Sequence, residues 1–184
     1  MTDIFFDIET HTIAGKVQLS DEVIAIAFKI GNGPIEVLKC WEIGEGEVIR
    51  RFMDKTLTLP YPTLIGHNIL RFDSPVLVNR GAFHKIGTIE DLMQRLIHFP
   101  YHVDLLQALL PTNNFRTSGL KMVDCSRRLG YEHVTCKSSE IALLYEQKEY
   151  EKITAHIIED IEANERLYHS LCDRSYYEKL SNMI

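Results

Sequence analysis

The sequence predicts an α/β domain in which helices flank a mixed β-sheet, with three antiparallel strands first and parallel strands added later. Three observations support this fold class. Apolar stretches of β-type composition fill the first part of the chain, a further strand follows a short helical stretch, and the last part has a long helical period. This order fits an α/β domain better than a uniform repeat of strand, helix and strand.

The strands are predicted from apolar runs bounded by turns. Residues 3–10 have the apolar composition of a buried strand, although two carboxylates interrupt it. Residues 23–30 and 35–41 predict two more strands, and the Asn32-Gly33 dipeptide between them is typical of the tight turn in an antiparallel hairpin. Residues 63–66 predict a fourth, buried strand.

The first helices are predicted around this fourth strand. Residues 45–56 form a short helical stretch before it. After it, Ser74 is a predicted N-cap, Pro75 occupies the first helical position, and Gly81 ends the helix.

Four further helical signals follow in the second half. Residues 88–97 begin with a capping-type sequence for a short helix. Asp104 is a predicted cap where a strand edge runs into the next helix, and residues 118–129 predict a helix that Gly130 closes. Residues 150–171 have apolar positions every three or four residues, which predicts a long amphipathic helix.

The composition is that of a soluble globular protein, with 184 residues of which 45% are hydrophobic and 25% charged. This length predicts a single domain over residues 1–184. No stretch has the roughly 18 apolar residues of a membrane helix, and the start lacks a basic secretory segment, so we expect a cytoplasmic protein without a membrane partner. The four cysteines stand far apart and suggest neither a zinc site nor a disulfide framework.

The net charge of −6 argues against a nucleic-acid partner, because phosphate binding usually needs a basic surface. The distribution of charge changes this expectation. Basic residues outnumber acidic ones between Asn113 and Lys137, whereas acids dominate after that segment. The sequence therefore predicts one basic patch on an acidic body. Its bases are Arg116, Lys121, Arg127, Arg128 and Lys137.

A pair of carboxylates, Asp7 and Glu9, lies on the first predicted strand. Residues two apart on a strand point to the same face, so the two charges repel each other. An apolar core cannot offset this repulsion, but a hard divalent cation can. We interpret the pair as half of a metal site.

Two further sites supply acids. Asp73 follows a buried strand where a helix begins, although a carboxylate favoured by the helix dipole explains it equally well. His156 and Asp160 are four residues apart, so they share one helix face beside the apolar stripe. A charged Asp at that margin needs a partner, and the simpler alternative is an ion pair of these two side chains on the helix surface.

Together Asp7, Glu9, Asp73 and Asp160 form a set of hard oxygen ligands, which suits Mg²⁺ or Mn²⁺ rather than zinc. Such a cluster can hold two ions about 3.5–4 Å apart, one activating a water and one stabilising a leaving oxygen at phosphorus. This chemistry is phosphodiester hydrolysis.

Three motifs, FFDIET, GHNILRFDSPVL and HIIEDIEANERL, resemble those of the DEDD exonucleases, the proofreading-type 3′ to 5′ exonucleases of ribonuclease H-like fold. The segments HVDLLQALLP and SGLKMVDCSRRLG resemble the connections in predicted exonucleases related to the proofreading domain of family B DNA polymerases. The resemblance covers nearly the whole chain. It implies a stand-alone exonuclease that releases nucleoside monophosphates from single-stranded 3′ ends, of DNA ahead of RNA, with a replication or repair protein as a further partner.

The resemblance also implies residue roles. Asp7, Glu9 and Asp160 would bind the metals directly, and Asp73 would help to hold the second ion, partly through water. Asn68 and Phe72 would support the second motif near the bound strand. These roles, with His156 near the water, define the predicted catalytic site.

The sequence departs from the family at His156. The family divides by a Tyr four residues before the last Asp or a His five residues before it, whereas this chain has a His at the Tyr spacing. A Tyr with a pKa near 10 orients a water, whereas a His with a pKa near 6.5 can take its proton. We hypothesise that His156 serves the water as base or as orienting group.

Substrate contacts are less well specified. Arg116 and Lys121 are predicted contacts to the nucleic-acid backbone, although a solvated helix face explains them about as well. Phe72 and Phe115 can stack on terminal bases, but packing in the core or a loop is the favoured interpretation for both.

Two other functions fit the sequence. A catalytically silent nuclease-like module that binds nucleic acid or a replication or repair protein is consistent with the acidic charge and the altered His spacing. Four mutually repelling carboxylates argue against silence, because such a module has no physical need for them. An endonuclease or transposase relative would share the metals but lack the motif of Asn68, Phe72 and Asp73.

Overall fold

The structure is a computed structural model that describes residues 1–12, 18–131 and 136–176. Within these residues, five strands form one mixed sheet in the order β3-β2-β1-β4-β5. The strands β1 to β3 pair antiparallel, whereas β4 pairs parallel to β1 and β5 pairs parallel to β4. The predicted mixed sheet is confirmed. The strands are β1 Thr2–His11, β2 Glu22–Ile30, β3 Ile35–Lys39, β4 Pro62–Gly66 and β5 Tyr101–Asp104.

Helices cover both faces of the sheet. The α-helices in the described ranges are α1 Cys40–Ile43, α2 Glu45–Thr56, α3 Asp73–Phe83, α4 Ile89–Met93, α5 Leu105–Leu109, α6 Met122–Arg128, α7 Ile141–Glu146 and α8 Tyr150–Cys172. A π-helical turn at Gln94–His98 continues α4, and 3₁₀ turns lie at Leu110–Asn113 and Ser138–Glu140.

The alternation of side chains along β1 divides the core into two layers. Ile4 and Phe6 point to the layer that α2 and α3 cover, whereas Phe5 points to the layer that α5, α6 and α8 cover. Asp7 and Glu9 have the parity of Phe5, so they face α8. The strand therefore presents both carboxylates to the helix that carries the last predicted motif.

The boundaries of α3 correct the sequence prediction. The N-cap is Phe72 rather than Ser74, and the first helical residue is Asp73 rather than Pro75. The Ser74 hydroxyl is buried without a hydrogen-bond partner among the described residues. Gly81 does not end the helix, which continues to Phe83. A Cβ atom at Gly81 would lie 3.1 Å from Leu92 Cδ1, so the glycine allows close packing of α3 against α4.

The ends of two other elements also differ from the sequence prediction. The third strand ends at Lys39, and Cys40 begins the short α1. The helix predicted from residue 118 begins only at Met122, because Gly119 adopts a left-handed φ of +76° that a helix cannot contain. The sequence did not predict α7, whereas the Asp104 cap and the Thr88 capping box are confirmed.

None of the helices in the described ranges combines the length and apolar character that crossing a bilayer requires. The single domain over residues 1–184 stays a prediction.

Candidate active site

A cleft of about 1060 Å³ lies where β1 and β4 end, between α8 and the loop after β4. All the acids that the sequence proposed as metal ligands line this cleft, together with the predicted imidazole. They are Asp7, Glu9, Asp73, Asp160 and His156. The chain thus brings together side chains from its first strand, from the start of α3 and from its long helix.

The cleft opens because β4 is shorter than its neighbour β1. The last residue of β4, Gly66, packs directly on β1, since a Cβ atom there would lie 2.7 Å from the carbonyl oxygen of Phe6. Beyond this point β1 has no parallel neighbour, and the Ile8 amide donates to Asp73 Oδ1 at 3.2 Å instead. The Asp73 carboxylate therefore satisfies a backbone amide of β1 that has no partner strand, and it lies beside Asp7.

A loop of residues 67–72, here called the metal loop, connects β4 to α3. Asp104 fixes the conformation of this loop, because its carboxylate accepts hydrogen bonds from the backbone amides of Asn68 and Leu70 at 3.0 Å each. The same carboxylate caps the N-terminus of α5. Asn68 takes a left-handed φ of 67°, a conformation that Asn tolerates better than most residues. These bonds fix the direction in which the chain enters α3 and hence the position of Asp73.

His156 on α8 completes one corner of the cleft. Its Nε2 atom lies 3.4 Å from Glu9 Oε1 and 3.4 Å from Asp160 Oδ2. The three residues offer ligand atoms within 4.8 Å of one another, an arrangement that could hold a metal ion. The contact between His156 and Asp160 that the simpler alternative expected is present, but it does not lie on the helix surface, because His156 is only 3% exposed.

The protein environment works against negative charge in this cleft. Burial raises the pKa of Asp73 and of Asp160 to about 7. The pKa values of Asp7 and Glu9 are also raised, by burial first and then by repulsion from the neighbouring acids. Such a group of carboxylates is costly without a compensating positive charge, and a divalent cation supplies one.

The remaining donors also suit a hydrated ion. Asn164 lies one helical turn after Asp160, is 1% exposed and lines the cleft. Its Oδ1 atom has no hydrogen-bond partner among the residues that the structure describes. A buried amide oxygen normally accepts a hydrogen bond, and a metal-bound water is a suitable donor. The donor set of oxygens with one imidazole therefore fits a divalent metal.

Comparison with known proteins places this fold in a family. Residues 4–172 match the model of a family described as RNase H superfamily, which spans most of the chain. The chain belongs to the RNase H superfamily. No curated protein sequence matches it.

Solved structures share this RNase H-like fold at low sequence identity. The family B DNA polymerase from the hyperthermophilic archaeon Pyrobaculum calidifontis matches with a TM-score of 0.72 and 19% identity, over 93% of this chain and 24% of that one. The zinc-bound form of the Escherichia coli ExoI–ssDNA complex matches with a TM-score of 0.60 and 17% identity, over 100% of this chain and 45% of that one. The present chain therefore spans less than half of either protein.

The predicted substrate residues of this RNase H superfamily member divide into two groups. Asn68, Phe72 and Lys121 line the cleft, whereas Arg116 is exposed and does not line it. Phe72 also packs against the core layer of α2 and α3, as its favoured interpretation predicted.

Sequence reasoning missed two residues of the site. It recognised Asp104 as a helix cap but not as the anchor of the metal loop. Asn164 was not singled out within residues 150–171. The signal that could have identified it is a polar residue in the helical row that contains His156 and Asp160, at a position that is buried.

The raised carboxyl pKa values predict that stability depends on pH and on metal. Folding raises the pKa of these carboxyl groups. Such a group favours the folded state while it is protonated, and this contribution is lost as the pH rises through the folded-state pKa. Without metal, we expect the melting temperature to fall by roughly 5 °C or more between pH 4 and pH 7.5, with Asp73 and Asp160 titrating near 7.

Thermal unfolding in EDTA and in Mn²⁺ or Mg²⁺ checks this prediction. Saturating metal should raise the melting temperature strongly at pH 7.5 and little at pH 5, where protons compete for the ligands. A metal effect of equal size at both pH values would contradict it.

Proposed function

We propose that this protein is a metal-dependent 3′ to 5′ exonuclease that hydrolyses phosphodiester bonds at single-stranded nucleic acid ends. The observation that carries the proposal is the meeting of four carboxylates and one imidazole, from three distant segments, in a single cleft. The resemblance of these three segments to the motifs of the DEDD exonucleases supports the direction of digestion.

The proposed roles follow from the positions of the side chains. Asp7, Glu9 and Asp160 would bind two ions, Mg²⁺ or Mn²⁺, and Asp73 would help to hold the second. When bound, the ions supply an activated water and stabilise the leaving oxygen. His156 Nε2 faces the Glu9 and Asp160 carboxylates, so it can accept or orient a proton of that water.

The rim of the cleft supports a nucleic-acid substrate. Lys121 and Lys137 line it and can attract phosphate, and Asn68 and Phe72 lie beside the acids. The fold is shared with ExoI, which was solved with single-stranded DNA, and with a DNA polymerase. We therefore propose single-stranded DNA ahead of RNA, and a replication or repair protein as a further partner.

A second candidate is a catalytically silent module that binds nucleic acid or such a partner protein. The net charge of −6 and the unusual spacing of His156 favour it. This candidate predicts binding without cleavage.

Digestion of 5′-labelled DNA and RNA oligonucleotides in Mg²⁺, Mn²⁺ or EDTA tests the two candidates, with Asp7→Ala alongside the wild type. A stepwise ladder that both EDTA and Asp7→Ala abolish supports the exonuclease. Binding without a ladder supports the silent module, and internal cuts without a ladder contradict 3′ to 5′ digestion.

The position of Lys121 gives a prediction on binding. If this lysine contacts phosphate, Lys121→Gln should weaken binding to every single-stranded sequence about equally, and the slope of log K against log salt should become shallower by about 0.7. Titrations by fluorescence anisotropy at several salt concentrations measure that slope. Lys85→Gln is the matched control, since Lys85 is exposed and does not line the cleft. Equal slopes for both variants would remove Lys121 from the binding surface.

A further inference from the structure

A loop of residues 113–121, here called the Phe115 loop, holds an aromatic ring out in solvent. Phe115 is 75% exposed, and both it and Asn114 have left-handed backbones, with φ values of 59° and 52°. Single exposed apolar side chains are common on soluble proteins. Here, however, exposure is combined with a backbone conformation that non-glycine residues seldom adopt. The favoured sequence interpretation, packing of Phe115 in the loop, is wrong.

Hydrogen bonds fix this conformation. The Asn113 side-chain amide donates to the carbonyls of Arg116 at 2.7 Å and Ser118 at 2.9 Å, and the Phe115 amide donates to Leu110 at 2.8 Å. The backbone that carries the ring is therefore fixed in a tight turn. Little conformational entropy of the loop is lost when a ligand contacts the ring.

The Phe115 loop leads directly into the cleft. Leu120 is fully buried, and its carbonyl accepts a hydrogen bond from His67 Nε2 on the metal loop at 2.7 Å. The next residue, Lys121, lines the cleft. Six residues of chain reach at most about 20 Å, so Phe115 lies no farther than that from Lys121 in the cleft lining.

Three cations lie on the Phe115 loop or on the rim of the cleft. Arg116, Lys121 and Lys137 have no ion-pair partner in the part of the chain that the structure describes. Many other cations lie beside a carboxylate, which neutralises much of their field. Examples are Lys29 with Glu165, Lys39 with Glu42, Arg51 with Glu47, Arg80 with Glu45 and Lys152 with Glu149. A cation without a carboxylate partner among the described residues attracts phosphate more strongly than a paired one.

We propose that the Phe115 loop binds single-stranded nucleic acid upstream of the 3′ end, with Phe115 stacked on a base and Arg116 on a neighbouring phosphate. The exposed aromatic face accepts any unstacked base, and the adjacent cations match the backbone. A duplex has no unstacked base to offer, so this contact selects single strands. The inference rests on the proposed function for the direction of the strand.

Phe115→Ala tests the proposal, with Phe83→Ala as the matched control. Phe83 is 67% exposed and packs on Arg80 at the end of α3, outside the cleft lining. Affinity for a long single strand and for a dinucleotide is measured by anisotropy, and kcat/KM is measured for both. Phe115→Ala should weaken binding of the long strand roughly 5- to 150-fold and the dinucleotide much less, whereas Phe83→Ala should match the wild type.

The outcomes separate this inference from the exonuclease proposal. If the wild type binds the long strand without cleaving it and Phe115→Ala weakens that binding, the stacking inference is supported and the exonuclease fails. If the wild type cleaves and Phe115→Ala lowers the affinity for the long strand and for the dinucleotide equally, or lowers neither, the stacking inference is overturned. A wild type that binds no nucleic acid overturns both, and then Phe115 is left as a contact for a protein partner.

Discussion

Asp160→Asn is expected to lower the hydrolysis of single-stranded DNA by about a thousandfold or more. The substitution keeps the size of the side chain but removes one negative ligand from the corner that Glu9 and His156 share. Because the proposed ions supply both the attacking water and the stabilisation of the leaving oxygen, loss of a ligand reduces both contributions. The ladder assay at saturating Mn²⁺ and Mg²⁺ measures the effect.

The same variant should become more stable in the absence of metal. Asp160 is a buried acid near other carboxylates, so removing its charge relieves desolvation and repulsion in the folded state. We expect the melting temperature of metal-free Asp160→Asn at pH 7.5 to equal or exceed that of the wild type. Active sites commonly show such a trade-off, in which a residue needed for activity lowers the stability of the fold.

Glu162→Gln is the control for Asp160→Asn. Glu162 lies on the same helix but pairs with Arg166 on the exposed side. It should keep both activity and stability. Near wild-type activity in Asp160→Asn would contradict the metal site. A large loss of stability in that variant would mean that its inactivity results from misfolding.

His156→Ala is the second large effect, with kcat expected to fall about 10²- to 10⁴-fold. The ring is buried between Glu9 and Asp160, where the proposed mechanism would have it accept or orient a proton of the attacking water. KM should change little, because the proposed contacts to the strand come from Asn68, Phe72, Lys121 and the Phe115 loop rather than from His156. Single-turnover digestion separates the two parameters.

Two variants refine the result for His156. His156→Tyr places the family's residue at the family's spacing, so it should retain activity if the role is to orient water and lose it if the role is to take a proton. In the second case the rate of His156→Tyr should stay low across the whole pH range. His169→Ala is the control on the same helix, since His169 is 63% exposed. Full activity in His156→Ala would remove this residue from the mechanism.

The fold was largely predictable because its signals are local. Strand parity placed Asp7 and Glu9 on one face, and the helical period placed His156 and Asp160 on another, so the meeting of these faces could be expected from the sequence. The superfamily membership and the mixed sheet agree with that expectation. The chemical roles of these residues stay a prediction.

Three features were not predicted, and the one that matters most for the site depends on contacts between distant segments. Asp104 reads as a helix cap from its neighbours, but its bonds to the metal loop join residues 36 and 34 positions apart and leave no local pattern. The turn at Phe115, by contrast, is held by local hydrogen bonds from the Asn113 side chain to Arg116 and Ser118. The start of α6 was misplaced because a helical composition continued through Gly119, whose φ decides the boundary.

The order of assembly follows from the pairing of β1 with α8. Glu9 lies on β1, whereas His156 and Asp160 lie on α8, which follows all five strands of the sheet along the chain. The five strands can therefore pair before α8 has packed, but Glu9 meets His156 and Asp160 only once it has. If the proposed function holds, a chain whose sheet has formed without α8 should bind no metal at this corner and cleave no nucleic acid.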